Sequence, residues 1–224
     1  MAFFKQRGGG PEPGRYGALL IVLIAGYLLS AFIRAHWIEA VQVALFTVAM
    51  LLALRSAAIS RRAVRLVLGA AIIGLPVMFF LSLSMETGDT GTGVANIWTG
   101  LVLLAAAVLI VHRVLVFGEL TLQSIYGAFS AYLVLGLMFA SFFAAIYHLG
   151  GDQFFVPGEK VVGTQTFQYF SFTTLTTLGY GDYTAAYSSG QAVAVLEALT
   201  GQIFLATLVA RLVASFRSTR DGQG

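Results

Sequence analysis

An all-α integral membrane fold is expected for this chain, with six transmembrane helices and one re-entrant helix and loop. Three observations predict it. Hydrophobic residues make up 58% of the sequence and charged residues only 10%, against ~25% charged in a soluble domain. The apolar residues gather in six runs, each long enough to cross a bilayer or nearly so. The basic residues collect on one side of those runs.

Residues 1–16 are rich in Gly and Pro and carry Lys5, Arg7 and Arg15. They read as a cytoplasmic tail. The first apolar run, about Gly17 to Ile33, is long for the apolar core of a signal peptide. It lacks a clear small-x-small cleavage site, so a retained helix is expected. The second run spans about Trp37 to Leu54, and Arg55, Arg61, Arg62 and Arg65 then form a basic loop. The third, about Leu66 to Leu83, contains Pro76, which membrane helices tolerate. Glu86 to Gly93 is acidic and rich in Gly and Thr, and reads as a loop. The fourth run, about Ala95 to Val111, ends at His112 and Arg113. Residues 17–113 therefore form a four-helix membrane domain, joined by a linker over 114–124. Residues 125–216 form a second unit. It holds a run from Ile125 to Tyr147, a polar segment, a short helix, a Gly-containing loop and a last run from Gln191 to Phe216. A cytoplasmic tail, 217–224, follows.

Orientation follows from Lys and Arg. With both ends inside, the cytoplasmic face holds Lys5, Arg7, Arg15, Arg55, Arg61, Arg62, Arg65, Arg113, Arg211, Arg217 and Arg220. The outer face holds Arg34 and Lys160, which completes the 13 basic residues. A multi-pass protein of the cell (inner) membrane is expected.

Between the fifth and sixth runs, Thr164 to Thr176 would make a helix of roughly 20 Å. That is too short to span, so the segment must enter and turn back. Such backbone is stable at membrane depth only when buried in protein or lining water. The C-terminal end of this helix, near Thr176, carries partial negative charge and would face a cation.

The run Thr177-Leu178-Gly179-Tyr180-Gly181-Asp182 resembles the selectivity filter of potassium channels. A single Gly-rich turn is the bland alternative, disfavoured by the threonines before it and the apolar runs on either side. Backbone carbonyls can replace a cation's water without a full charge, as is established for this loop in a close variant. Carbonyls of successive residues face one axis only if the backbone alternates in handedness, and Gly179 and Gly181 can take φ > 0 at little cost. Thr177 can add its hydroxyl. Leu178 and Tyr180 would point off the axis and pack behind the loop. One loop makes part of a cage, so a cyclic oligomer is implied. The resemblance implies a homotetramer in membrane lipid. Potassium would be held by the carbonyls of Thr177, Leu178, Gly179 and Tyr180 and by the Thr177 hydroxyl.

The resemblance covers about Ile125 to Phe216 and implies further roles. Tyr169, Phe170, Thr173, Thr174, Thr176 and Asp182 would support the filter. Gly201 lies 20 residues after Gly181, where relatives often keep a hinge glycine; close helix packing is the other reading. Leu205, Leu208 and Leu212 are candidates for the inner gate. Glu197, an ionisable residue inside a membrane helix, is a functional candidate by default. It is expected either to bond behind the filter to Thr173 or Thr174, or to reach toward outer water.

The sequence departs from the family at several points. Tyr169-Phe170 stands where many relatives have two tryptophans. Phe170 has no N–H to give Asp182, so one brace of the outer mouth is expected to be missing, and Trp at 170 to restore it, unless another group, with Tyr169 the first candidate, already holds Asp182. Thr173 replaces an acidic residue, Leu178 a valine, and Ala185-Ala186 a segment where proline is frequent. The fourth run carries no charge from Leu101 to Val111, so a voltage sensor is not expected.

No nucleotide-binding loop or nucleophile motif occurs, cysteine is absent, and His36, His112 and His148 are scattered. No enzyme, cofactor or nucleic-acid partner is expected, and no nucleotide-binding domain on this chain. A potassium-transporter subunit is a second reading, but such chains carry four degenerate loops. A non-conducting partner with a vestigial pore is a third.

Overall fold

The computed structural model describes residues 16–32, 69, 74, 88–116, 122–150, 154–156 and 163–221. These form five helices: α1 (Tyr16–Phe32), α2 (Gly88–Val116), α3 (Leu122–Gly150), α4 (Thr164–Leu175) and α5 (Ser188–Asp221). One isolated antiparallel bridge joins Phe155 to Ala185. The expected second and third spans, the N-terminal tail, most of the linker and most of the polar segment after α3 lie outside the described residues.

Three of these helices are long and apolar enough to cross a membrane, over Thr90–His112, Leu122–Gly150 and Ser188–Ala214. The apolar helix α1 is shorter, at 17 residues, or ~25 Å.

Helix α3 is the hub, packed against α1, α2, α4 and α5. Its inward face alternates small and large residues: Ala128, Ala131, Val134, Leu135, Met138, Phe139 and Phe143 are all buried. Small residues let helix backbones approach where lipid gives no hydrophobic drive between helices. The partners answer with Leu19 and Leu23 on α1 and with Ala106, Ala107 and Ile110 on α2.

The expected loop at Glu86 to Gly93 is corrected from residue 88 onward, since helix α2 begins at Gly88. Gly and Thr are weak helix formers, but tertiary packing overrides propensity. Gly93 is buried so closely under Leu149 that a Cβ there would stand 2.6 Å from Leu149 Cγ.

Helix α5 differs from α3 in its surroundings. Only 11% of its spanning stretch is buried within the chain, against 67% for α3. Val195, Leu196, Leu199, Ile203, Val209 and Val213 are each more than half exposed. An apolar face of this extent marks an interaction surface.

Candidate functional site

Helix α4 sets the site, and aromatic packing sets α4. Its buried face carries Phe167, Phe170, Ser171 and Leu175. Phe170 packs edge-on against Phe143 of α3 with ring centres 4.9 Å apart, and Phe154 and Phe155 close the cluster at 5.9 and 5.3 Å. Edge-to-face contacts add direction to the burial. On another side, Phe172 lies against the bare Cα of Gly136 and meets Tyr27 of α1 edge-on at 5.1 Å.

The segment after the loop is stitched to the same cluster. Val156 N–H donates to Thr184 O at 3.1 Å, and Ala186 N–H donates to Phe154 O at 2.8 Å. A proline at 186 has no N–H to give, so alanine here completes the bridge.

The C-terminus of α4 hands its carbonyls to the loop. Thr177 N–H donates to Thr174 O at 2.9 Å, and Leu178 and Gly179 N–H both donate to Thr173 O, at 2.9 and 3.1 Å. In a trans peptide the N–H and the preceding C=O point in opposite directions. The carbonyls of Thr176, Thr177 and Leu178 therefore all turn away from α4, toward one common side. Stacking peptides in one direction demands alternate handedness, and the backbone supplies it. Thr177, Gly179 and Gly181 have φ of 57°, 52° and 78°. The two glycines were expected there. Thr177 was not, since a β-branched residue at positive φ is an outlier, and such strain gathers at functional sites.

The Thr177 hydroxyl is itself held. Gln202 of α5 donates its side-chain N–H to it at 3.2 Å. A hydroxyl oxygen has two lone pairs, so one is left for a cation. Sequence reasoning gave Gln202 no role; its position one residue after Gly201 was the only signal.

Leu178 and Tyr180 are exposed, at 56% and 67%. No described residue of the same chain packs over them. At the far end of the loop, Tyr169 donates its hydroxyl to Asp182 Oδ2 at 2.8 Å, while Asp182 Oδ1 accepts from Tyr183 N–H at 3.1 Å. That hydrogen bond, with burial and the negative charge adding to it, pushes the Tyr169 phenol up to about 12. The brace expected to be missing at 170 is thus supplied from 169.

Thr176 caps α4, its hydroxyl bonding to Phe172 O at 2.7 Å, and the Thr173 hydroxyl bonds to Phe170 O at 3.0 Å. Neither Thr173 nor Thr174 bonds Glu197. The carboxyl meets Ser171 Oγ instead, at 2.5 Å, and is fully buried rather than reaching outer water. A 100° turn per residue separates the faces of 171 and 173, and Ser171 is on the one that faces α5.

Gly201 is buried against the end of α4, and a Cβ there would run into the Leu175 carbonyl oxygen. The same carbonyl accepts from Tyr132 of α3 at 3.0 Å. Helix α5 passes through Gly201 without a break. Leu205, Leu208 and Leu212 are half-buried. Leu208 lines a groove of about 560 Å³ with Val108, Ala131, Ile203, Phe204 and other residues of α2, α3 and α5.

Residues 136–218 match the family described as ion channel. That match runs from mid-α3 through α4 and the loop to the end of α5, and it supports an ion channel of the tetrameric cation-channel type. No curated protein and no solved structure matches the chain. Among the described residues no group of His, Cys, Asp or Glu could hold a metal ion; the oxygens gathered here are backbone carbonyls and a hydroxyl.

Proposed function

We propose that this chain is one subunit of a potassium-selective channel, a homotetramer in the cell membrane with six helices per subunit and both ends cytoplasmic. One observation carries the reading. The positive φ at Thr177, Gly179 and Gly181, with the amides of Thr177, Leu178 and Gly179 tied back to α4, aims consecutive carbonyls one way. A row of carbonyls suits a dehydrated monovalent cation, and four rows around an axis make a cage.

The apolar face of α5 and the unpacked Leu178 and Tyr180 support assembly, since neighbouring subunits would cover them. The ions pass; they are cargo. The four-helix part acts as a collar around the pore and not as a steep voltage sensor.

The test is flux from purified full-length protein in liposomes under a potassium gradient. The reversal potential should track potassium, and barium, a divalent ion of similar size, should block. A reversal potential unmoved by exchanging sodium for potassium would exclude selectivity.

A further inference from the structure

Glu197 lies in the first third of α5, inside the apolar stretch, and is wholly buried within a single chain. Assembly can only add to that burial, so no group from another subunit can reach it. Its Oε1 stands 2.5 Å from Ser171 Oγ, and that same Oγ stands 2.6 Å from the carbonyl oxygen of Gly136. Three oxygens from three helices thus lie in a row, with two short gaps between them.

Each gap needs a proton. A serine hydroxyl has one, and a backbone carbonyl has none. If Ser171 gave its proton to an ionised Glu197, two oxygens 2.6 Å apart would face each other with lone pairs alone. If it gave the proton to Gly136, an ionised Glu197 would face the Ser171 lone pairs in the same way. Only a proton on Glu197 fills both gaps: Glu197 donates to Ser171, and Ser171 donates to Gly136.

The surroundings agree. Glu197 Oε2 is buried without a hydrogen-bond partner. That is tolerable for a neutral acid and far costlier for a carboxylate. No basic residue occurs in α4, in α3 before His148, or in α5 before Arg211. Among the described residues its titratable neighbour is Tyr132 of α3, whose hydroxyl is committed to Leu175 O.

We propose that Glu197 carries a proton and is a positioning residue for the filter, its neutral carboxyl locking α5 through Ser171 to α3. This rests on the channel reading above. Ser171 is two residues before Thr173, whose carbonyl holds the amides of Leu178 and Gly179. Fixing Ser171 from both sides fixes the height and rotation of α4, and so the direction of the filter carbonyls.

The test uses full-length protein in liposomes, with infrared spectroscopy and the potassium-to-sodium permeability ratio as readouts. The parent should show a protonated-carboxyl band at neutral pH that Glu197→Gln removes. Glu197→Gln keeps a donor and can never be charged, so it should retain the parent's ratio. Glu197→Leu and Ser171→Ala should each lower the ratio by roughly tenfold, as loss of a buried hydrogen bond would. The double variant should be no worse than either single one, because both cut the same chain. Where Glu197→Leu fails to assemble, the Gln variant and the infrared band still decide. Absence of the band from the parent, or Glu197→Gln losing selectivity, would overturn the proposal. A parent without selective flux would sink the channel reading instead, and the infrared arm would still report the proton.

Discussion

The Tyr169 hydroxyl reaches across thirteen residues of chain to the Asp182 carboxylate, 2.8 Å away. Helix α4 and the far end of the loop are joined there, with residues 177–181 lying between the two contact points. Phe170, next along the helix, faces the other way into the aromatic cluster and is 5% exposed. The two neighbours divide the work: one packs and the other braces.

Tyr169→Phe should therefore shorten channel openings or hasten inactivation, with the fold intact. Single-channel open time under matched ions measures this. Phe170→Trp, which the sequence alone would favour, should not lengthen openings. It adds ring atoms to a filled cluster, and overpacking costs about 1–3 kcal/mol, so its melting temperature should fall. The brace also has a pH signature. The bond raises the Tyr169 value from 10.0 to about 12, so it favours the protonated phenol. It is complete below pH 10 and is lost only as the pH rises through about 12. Open times in the parent should show no loss of this brace between neutral pH and pH 10.

Gly179→Ala and Gly181→Ala should abolish selective flux while leaving a membrane-inserted oligomer. Among the described residues nothing lies within 4 Å of a Cβ at either position, so the penalty is conformational. At φ of 52° and 78° it is about 1 kcal/mol or more per subunit. Thr177→Gly tests the same point in reverse. It should relieve strain and raise the melting temperature, yet weaken potassium binding by removing the hydroxyl. Normal selective flux in Gly179→Ala would contradict the backbone mechanism.

Much of this site could be read in the sequence because its backbone demands are written in residue types. Glycine at 179 and 181 announces left-handed backbone, and the stretch from Thr164 to Thr176, too short to span, announces a short helix. Thr177 could not be read, because its own preference opposes positive φ. The bonds from three successive amides to α4 enforce it, and they exist only in the fold. The partner of Glu197 was also hidden. Choosing Ser171 over Thr173 requires the rotation of α4 about its axis, which the Phe143, Phe154 and Phe155 rings fix from outside that helix. The start of α2 at Gly88 was obscured for a similar reason: Leu149, far along the sequence from Gly93, makes a glycine suitable in that helix.

Gly201→Ala should disturb the filter from below. The added methyl meets the Leu175 carbonyl, where Tyr132 also binds. Either α5 shifts or the end of α4 does, at about 1–3 kcal/mol. The expected result is a lower melting temperature of the oligomer together with reduced selectivity. A pure hinge would instead leave selectivity intact and change only the opening rate. Measuring both in one preparation separates the two roles.

Gln202→Leu removes the donor that holds the Thr177 hydroxyl. The freed hydroxyl can turn, so the innermost ion site should bind less well. Block by barium applied from the cytoplasmic side should weaken by severalfold, with potassium selectivity less affected because the amides of Leu178 and Gly179, which set the Thr177 and Leu178 carbonyls, stay tied to α4. Unchanged barium affinity would mean that the bond does not shape the site.

Steep voltage dependence should be absent. Helix α2 is the fourth apolar run of the sequence, and between Thr90 and Val111 it contains no Lys, Arg, Asp or Glu. Its basic groups, His112 and Arg113, come at the end of the apolar stretch. A charge crossing the full field gains about 2.3 kcal/mol per 100 mV. If Arg113 crossed a quarter of that field, four copies would move about one charge, worth roughly 2 kcal/mol per 100 mV. A side chain at the membrane edge can snorkel to water and cross less. Open probability should therefore change only gently between strongly negative and strongly positive potentials in a planar bilayer. A slope demanding three or more gating charges per channel would refute this. The charge would then have to come from the filter, where the ions themselves sit in the field.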